Sequence, residues 1–110
     1  MVEQGDIVKI DFSPQRGREQ AGYRPAVVIS NSKYMKRTGF IIACPITNSD
    51  KGFPLHIKLC GGLETTGVVM CDQIKTLDLK VRDYKVVERL PNDLLHNVLL
   101  IVRKEIEWLE

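Results

Sequence analysis

The sequence predicts a mainly β (α+β) protein, a small SH3-like β-barrel with one α-helix at its C-terminal end. Short apolar runs recur at short, even intervals and are separated by turn residues, which is typical of small barrels. A single long stretch has helical periodicity, which leaves too few helices for the crossovers of a parallel sheet. The length of 110 residues, of which 44% are hydrophobic, suits one compact domain over residues 1–110.

The first half of the chain holds three predicted strands, over residues 6–12, 26–30 and 40–46. The second of these is almost wholly apolar, as expected for a strand that is covered on both faces. In the third, Pro45 predicts an irregularity near the end of the strand. The polar, positively charged residues 31–38 are expected to form a loop with room for one helical turn.

Three further segments are predicted strands in the second half. Residues 55–59 alternate between apolar and polar, which indicates a half-exposed strand. Residues 67–71 are expected to form a buried strand that continues as residues 74–79 after the polar pair Asp72-Gln73. Residues 85–89 form a short final strand.

A C-terminal helix is predicted to begin at Pro91, with Asn92 or Asp93 capping its free N–H groups. Leu100 and Ile101 widen its apolar face, which indicates either contact with a second subunit or a deeply packed terminal helix. The face itself is made of seven apolar residues that share one side of the helix: Leu94, Leu95, Val98, Leu99, Val102, Ile106 and Leu109.

Charge and cysteine content narrow the class of protein. The net charge is only +2, so nucleic-acid binding would require the basic groups to be concentrated on one face. The three cysteines are widely spaced, which argues against a disulfide framework or a zinc site. No run approaches the ~20 apolar residues that span a bilayer, and the N-terminus lacks the features of a signal peptide. We expect a cytoplasmic protein without membrane contact, metal or cofactor.

Residues 13–25 form an unusually long and charged connection between two strands. The segment carries an aromatic ring, Tyr23, and two kinds of charged group that suit RNA chemistry, guanidinium and carboxylate. Arginine forks bind phosphate, and a nearby carboxylate can accept a proton. The alternatives are a solvated charged surface and a salt bridge between Arg24 and Glu19. The charged residues are Arg16, Arg18, Glu19 and Arg24.

Four other polar side chains interrupt or follow apolar strands. Thr47 can cap a turn or donate to a phosphate oxygen. Asp72-Gln73 needs partners, because an unpaired buried carboxylate is costly, and is either a structural anchor or part of a site. His56 is predicted to be a surface or satisfied residue rather than a catalyst.

Residues 19–25 read Glu-Gln-Ala-Gly-Tyr-Arg-Pro and are followed by an apolar strand and, further on, by Pro45-Ile46-Thr47. Together with other segments, this pattern resembles the MazF/PemK (Kid) toxins of bacterial toxin–antitoxin systems. The resemblance covers nearly the whole chain, and Glu-Gln-x-Gly-x-Arg-Pro followed by an apolar strand and Pro-x-Thr is its specific part. The matching segments are Gly5-Asp6-Ile7-Val8, residues 19–28, Pro45-Ile46-Thr47, and Gly67-Val68-Val69 with Asp72-Gln73.

This resemblance implies a homodimeric toxin that cuts single-stranded RNA, chiefly mRNA, at short motifs without a metal ion. The 2′-hydroxyl attacks the adjacent phosphate, which gives a 2′,3′-cyclic phosphate and a 5′-hydroxyl. A cognate acidic antitoxin of the MazE/PemI type is expected to occupy the RNA groove, because both ligands are negatively charged. Contact with DNA is expected only indirectly, through the antitoxin.

The resemblance also implies roles for particular residues. Arg24 and Thr47 match the family's catalytic arginine and threonine, and Glu19 matches the glutamate of the MazF branch. Asp72 matches an aspartate to which the Kid/PemK branch assigns a role in catalysis, so Asp72 and its neighbour Gln73 are predicted to be either catalytic or structural. Two positions depart from that branch, because Met70 replaces its catalytic arginine and Arg18 replaces its histidine.

RNA contacts are expected from the loops at residues 16–23 and 48–54, which would line the groove. Unstacked bases are read in pockets and stack on aromatic or planar groups. The residues predicted to contact RNA are Arg16, Arg18, Gln20, Tyr23, Asn48, Lys51 and Phe53.

Two other functions fit the same fold class. The CcdB toxins, which poison gyrase without hydrolysing anything, share the fold but do not need Glu19, Arg24 and Thr47. A non-catalytic RNA-binding or SH3-like interaction module would bind without cutting and would not depend on Glu19.

Overall fold

The computed structural model describes residues 2–12 and 23–107, in which seven strands and two helices are formed. The first four elements are β1 (Asp6–Asp11), β2 (Tyr23–Val28), α1 (Ser32–Thr38) and β3 (Phe40–Thr47). The other five are β4 (His56–Lys58), β5 (Val68–Met70), β6 (Lys75–Asp78), β7 (Tyr84–Arg89) and α2 (Asn92–Ile106).

Every recorded strand pairing is antiparallel, and the strands lie in the order β4-β5-β3-β2-β1-β7. β6 also pairs with β3, so one edge of β3 has two partners. Its first half pairs with β6 through Ala43, and its end pairs with β5 from Ile46 onward. Pro45, which has no N–H to donate, lies between these two stretches. The irregularity predicted at Pro45 is therefore a change of partner strand rather than a break in β3.

Two apolar clusters fill the two faces of the central strands. In β2, Val27 belongs to one cluster, whereas Ala26 and Val28 belong to the other. This alternation confirms that the strand is covered on both faces. α2 packs on the first cluster through Leu95, Val98 and Val102, all of which are buried. The sheet is thus closed by the C-terminal helix, as the sequence predicts.

Two cysteines contribute to the first cluster. Cys44 and Cys71 are free and buried, and burial raises the pKa of each thiol to about 12. They behave as small apolar side chains there, because the reactive thiolate is suppressed.

The prediction of a loop with one helical turn over residues 31–38 is right only in part, because the helical segment α1 extends over seven residues. Asn31 caps it by accepting a hydrogen bond from the backbone N–H of Tyr34 at 3.0 Å. Gly39 ends it in the left-handed conformation, with φ of 77°, and donates to the carbonyl of Met35 at 2.7 Å. Local capping at both ends therefore stabilises a helix that buries no residue.

The predicted continuation of residues 67–71 into residues 74–79 is wrong. A turn in which the Gln73 N–H donates to the Met70 carbonyl at 3.0 Å separates β5 from β6. This turn sends the two strands to different ends of β3. It also presents Asp72 beside β4 rather than in the middle of a ladder.

α2 differs from its prediction at the cap. Pro91 is the N-cap and makes no side-chain hydrogen bond, whereas the Asp93 carboxylate accepts from the backbone N–H of Leu94 at 2.9 Å in the first turn.

The apolar face of α2 is wider than its buried stripe, because Ile106 is largely exposed and Leu100 is 40% exposed. Leu109 lies outside the described residues. Neither α1 nor α2 is long and apolar enough to cross a membrane.

Candidate functional site

The register of β2 and β3 links two of the predicted site residues. The recorded pairs are Ala26 with Pro45, Val27 with Cys44, and Val28 with Ala43. Carried two residues further, this register would place Arg24 opposite Thr47. Directly opposed residues of an antiparallel pair project from the same face of the sheet. The topology therefore favours an arginine and a threonine at one end of the sheet, although they are distant in sequence.

Thr47 is half-buried at the end of β3, and its hydroxyl oxygen accepts a hydrogen bond from the backbone N–H of Ser49 at 3.1 Å. Within the described chain, no recorded hydrogen bond takes up the proton of this hydroxyl. A hydroxyl can accept and donate at once. The turn-capping role and the phosphate-donor role predicted for Thr47 are therefore compatible.

Arg24 is exposed near the start of β2, immediately before the half-buried Pro25. Proline restricts the preceding backbone to extended conformations, which suits the strand here. The possible ion pair of Arg24 with Glu19 cannot be placed, because Glu19 lies outside the described residues. The same holds for three other predicted contacts, Arg16, Arg18 and Gln20.

Tyr23 is 55% exposed and lies opposite Asp11 in the register of β1 and β2. Loss of solvation and then a hydrogen bond with Asp83 raise the pKa of Tyr23, and the charge of Asp11 acts in the same direction. The ring is accessible, but its hydroxyl faces two carboxylates. Stacking of a base on Tyr23 remains a prediction.

An open depression of about 400 Å³ lies beside Thr47, and we call it the first depression. Lys51 and Phe53, both predicted to bind RNA, are in its wall, and Phe53 is 45% exposed. Met70 supplies an apolar wall where the Kid/PemK branch has an arginine. The complete lining is Thr47, Ser49, Lys51, Phe53, His56 and Met70.

His56 and Asp72 form a pair at the edge of this depression. The imidazole Nε2 lies 2.9 Å from Oδ1 of Asp72, and the Gln73 side chain donates to Oδ2 at 3.2 Å. Burial raises the pKa of Asp72, but the hydrogen bonds from Gln73, the backbone and His56 outweigh it, so the net shift is downward. Asp72 therefore has the partners that a half-buried carboxylate needs, and it is ionised at neutral pH.

The prediction that His56 is a surface or satisfied residue holds only in part. Its side chain is 13% exposed, and the pairing of β4 with β5 places it opposite Met70, near Asp72. The alternation of residues 55–59 indicates which face His56 occupies but not which strand lies alongside. The other histidine, His96, is exposed on α2.

A second depression of about 330 Å³ is lined in part by Asn48, the residue after Thr47. The Asn48 side-chain oxygen accepts a hydrogen bond from the Thr66 hydroxyl at 2.8 Å. The second depression is lined by Lys9, Pro25, Asn48, Glu64, Thr65, Thr66 and Val87.

The loop that forms the second depression is fixed by Glu88 of β7. Its carboxylate accepts hydrogen bonds from the Thr65 hydroxyl at 2.6 Å, from the Thr65 N–H at 2.7 Å and from the Glu64 N–H at 3.1 Å. The Thr65 hydroxyl bond has the largest effect in lowering the pKa of Glu88. In the part of the chain that the structure describes, no three His, Cys, Asp or Glu side chains are grouped to hold a metal ion.

These features define a class of protein: a small antiparallel barrel with a C-terminal helix, whose first depression contains two residues with hydrogen-bond donors, Thr47 and Lys51. The family model of PemK-like, MazF-like toxins of type II toxin–antitoxin systems matches residues 3–106. The chain belongs to this family, and the fold and family predicted from the sequence are confirmed.

Individual relatives support the same assignment. The chain is 41% identical over 80 residues to the endoribonuclease toxin MazF of Escherichia coli K12, covering 73% of this chain and 71% of that protein. It is 35% identical over 102 residues to the endoribonuclease PemK of Escherichia coli, covering 89% and 77% of the two chains. The structure is similar to MazF in a MazE–MazF crystal structure from Deinococcus radiodurans, with a TM-score of 0.87, 35% identity and coverage of 96% and 95%.

Proposed function

We propose that this toxin is an endoribonuclease that cuts single-stranded RNA, chiefly mRNA, at short motifs without a metal ion. Family membership supports the class of reaction, and the relation of Arg24 to Thr47 supports the position of the scissile phosphate. The depression lined by Thr47 and the depression lined by its neighbour Asn48 offer room for nucleotides beside the cut.

In the proposed reaction, the Arg24 guanidinium binds the scissile phosphate and stabilises the negative charge that develops on its oxygens. Thr47 donates a second hydrogen bond to the same group, since its hydroxyl proton is not taken up within the described chain. Glu19 accepts the proton of the 2′-hydroxyl. The bond from the 2′-oxygen to phosphorus forms as the bond to the 5′-oxygen breaks, and the departing oxygen takes up a proton. The products carry a 2′,3′-cyclic phosphate and a 5′-hydroxyl.

The proposed partners follow from the same groove. We expect an acidic antitoxin segment of the MazE/PemI type to compete with RNA, because both ligands are anionic and Lys51 lies in the wall of the first depression. Crystal structures of MazE–MazF from Deinococcus radiodurans support the expectation of an antitoxin partner. We further expect a homodimer in the cytoplasm, with DNA contacted only through the antitoxin.

Cleavage of a long single-stranded RNA in EDTA tests the proposal, with the cut sites mapped by primer extension and the ends analysed chemically. We compare wild type with Arg24→Ala and Arg24→Lys, which keeps the charge but loses the planar fork. Arg103→Ala, at an exposed position in the last turn of α2, controls for the loss of one positive charge. We expect discrete cuts by wild type and Arg103→Ala, and a loss of at least a hundredfold in Arg24→Ala, because one charge-stabilising donor contributes about 10²–10³ in rate.

Two results would contradict the proposal. Equal cleavage by Arg24→Ala and wild type would remove Arg24 from the reaction. Failure of the folded wild-type protein to cut RNA would refute the hypothesis that it is an endoribonuclease, and gyrase binding would then be tested.

A further inference from the structure

One nitrogen of His56 has no hydrogen-bond partner among residues 2–12 and 23–107. Nδ1 is inaccessible to solvent and unpaired within the described residues, whereas Nε2 is held by Asp72 at 2.9 Å. An ionised carboxylate only accepts hydrogen bonds, so the hydrogen-bond network assigns the proton to Nε2. In the neutral ring, Nδ1 therefore carries a lone pair that is ready to accept.

An unsatisfied buried acceptor is unfavourable, and such atoms are uncommon in folded proteins. A bound ligand that donates a hydrogen bond to Nδ1 would remove this cost. The position of the ring restricts the ligand, because His56 forms part of the first depression beside Thr47, where the proposed scissile phosphate binds.

The surroundings of His56 are those of a site for a flat, partly apolar group. The Phe53 ring meets the imidazole edge-on, with ring centroids 5.1 Å apart and an interplanar angle of 79°. Met70 lies opposite His56 across the pairing of β4 and β5. An aromatic face, an apolar wall and one polar atom are what proteins use to bind an unstacked nucleobase.

We infer that the first depression binds one nucleobase of the RNA and that His56 selects it, with Nδ1 accepting a hydrogen bond from the base. Because Nδ1 is inaccessible to solvent, base binding requires Phe53 to turn away from His56 and uncover Nδ1 as it stacks on the base. Phe53 is half exposed in a segment without regular secondary structure, which allows this movement. Asp72 is a positioning residue, since it sets which ring nitrogen carries the proton. This inference rests on the proposed ribonuclease function.

Asp72 offers a way to invert the hydrogen bond without removing the ring. In wild type, the Gln73 side chain donates a hydrogen bond to Oδ2 of Asp72 at 3.2 Å. In Asp72→Asn, the amide oxygen is expected to accept this same hydrogen bond. The amide NH₂ would then face Nε2 of His56, move the ring proton to Nδ1 and turn this acceptor into a donor. The substitution should therefore change which base is preferred rather than only weaken the preference.

The test is cleavage of a randomised single-stranded RNA library, followed by sequencing of the ends. Wild type is compared with His56→Ala, Asp72→Asn and His96→Ala, an exposed histidine on α2 that serves as the matched control. We expect His56→Ala to reduce the base preference at one motif position about tenfold, the effect of one net hydrogen bond. Other positions should be unchanged. Asp72→Asn should alter the preferred base at that same position, and His96→Ala should behave as wild type.

His56→Gln provides a second variant in case His56→Ala does not fold. Its amide can still donate to Asp72 but offers no acceptor at the position of Nδ1, so it should show the same local loss of preference. An unchanged motif in a folded His56 variant would overturn the inference. A uniform loss of cleavage at all sequences would also overturn it, since that is the result of a merely structural role. Failure of wild type to cleave any RNA would instead refute the proposed function, which the inference needs.

Discussion

Gly67 packs so closely against Thr47 that a β-carbon on residue 67 would lie 2.3 Å from the Thr47 carbonyl oxygen. Its φ of 114° is also one that side-chain-bearing residues rarely adopt. β5 therefore approaches the end of β3 at a distance that only glycine allows. Gly67, which has no side chain, therefore fixes the backbone of Thr47, whose hydroxyl is proposed to bind the phosphate.

Gly67→Ala should consequently disturb the site as well as the fold. We expect a loss of unfolding free energy of more than about 1 kcal/mol, the usual cost of alanine where φ is positive. RNA cleavage should fall at least about tenfold, because the clash is with backbone and must displace Thr47. Chemical denaturation and single-turnover cleavage measure the two effects.

Gly61→Ala is the matched control for that experiment. Gly61 also has a positive φ, of 69°, but a β-carbon there would meet no atom within 4 Å. It should therefore lose stability through its backbone conformation while cleaving RNA at the wild-type rate. Equal cleavage by folded Gly67→Ala and Gly61→Ala would show that the close approach to Thr47 has no role in the reaction.

The hydroxyl of Thr47 is predicted to act in the reaction more than in the fold. Thr47→Val keeps the shape but cannot accept from Ser49 N–H, an exposed group that water can satisfy instead. We expect a stability change within about 1 kcal/mol and a fall in the cleavage rate of about a hundredfold.

Thr47→Ser, which keeps the hydroxyl, should retain most of the cleavage activity of wild type. The comparison is made under single-turnover conditions at saturating protein, so that weaker binding does not mask the chemical step. A Thr47→Val protein as active as Thr47→Ser would exclude hydrogen bonding by this hydroxyl from the mechanism.

Glu88 should make the protein sensitive to acid. Its pKa lies below the usual 4.5 in the folded protein, because the carboxylate accepts hydrogen bonds from Thr65 and Glu64. A group with a depressed folded pKa stabilises the fold fully above its unfolded pKa and loses this contribution as pH falls through the folded pKa. Stability should therefore decline as pH falls below about 4.5.

Glu88→Gln tests this directly through unfolding free energies measured at pH 7 and at several values below 4.5. We expect a loss of about 1–2 kcal/mol at neutral pH, since hydrogen bonds to a charged group are replaced by neutral ones. The difference from wild type should shrink in acid. Glu107→Gln, at an exposed position after α2, serves as the control. A constant difference between Glu88→Gln and wild type across this pH range would contradict the assignment.

Elements with a strong periodic signal could be predicted from the sequence, and those fixed by tertiary contacts could not. α2 and β2 show why, since their apolar patterns reflect which faces are buried whatever lies opposite. The length of α1 was underestimated, because this helix depends on a cap, Asn31, and on Gly39 rather than on a buried apolar face. Capping signals are short and occur equally in loops.

The candidate site likewise contains residues with a sequence signal and residues whose position depends on tertiary contacts. Arg24 and Thr47 were predicted from their motif positions, and the register of β2 and β3, carried two residues beyond its pairs, would place them opposite each other. His56 gave no such signal, because its role depends on the neighbouring strand and on the turn that brings Asp72 within 2.9 Å. The pairing of β4 with β5 is a long-range property that no local pattern in residues 55–59 encodes.

Substitutions at two positions of α2, Val98 and Leu100, test core packing and subunit contact separately. Val98 is fully buried, so Val98→Ala should lower the unfolding free energy by about 1–3 kcal/mol through lost burial and a residual cavity. Leu100 is 40% exposed, so Leu100→Glu should cost a lone subunit no more than about 0.5 kcal/mol. In the proposed homodimer, however, a charge at a contact that uses this wider apolar face would weaken association.

Sedimentation and thermal unfolding over a range of protein concentrations distinguish these effects. Binding of a second subunit stabilises the folded chain by mass action, so the unfolding temperature of a dimer rises with concentration. We expect Val98→Ala to lower that temperature while remaining dimeric, and Leu100→Glu to sediment as a monomer whose unfolding no longer depends on concentration. If the dimer is unchanged by Leu100→Glu, the subunit interface lies elsewhere. Leu100 is then one of the scattered apolar side chains that are common on protein surfaces.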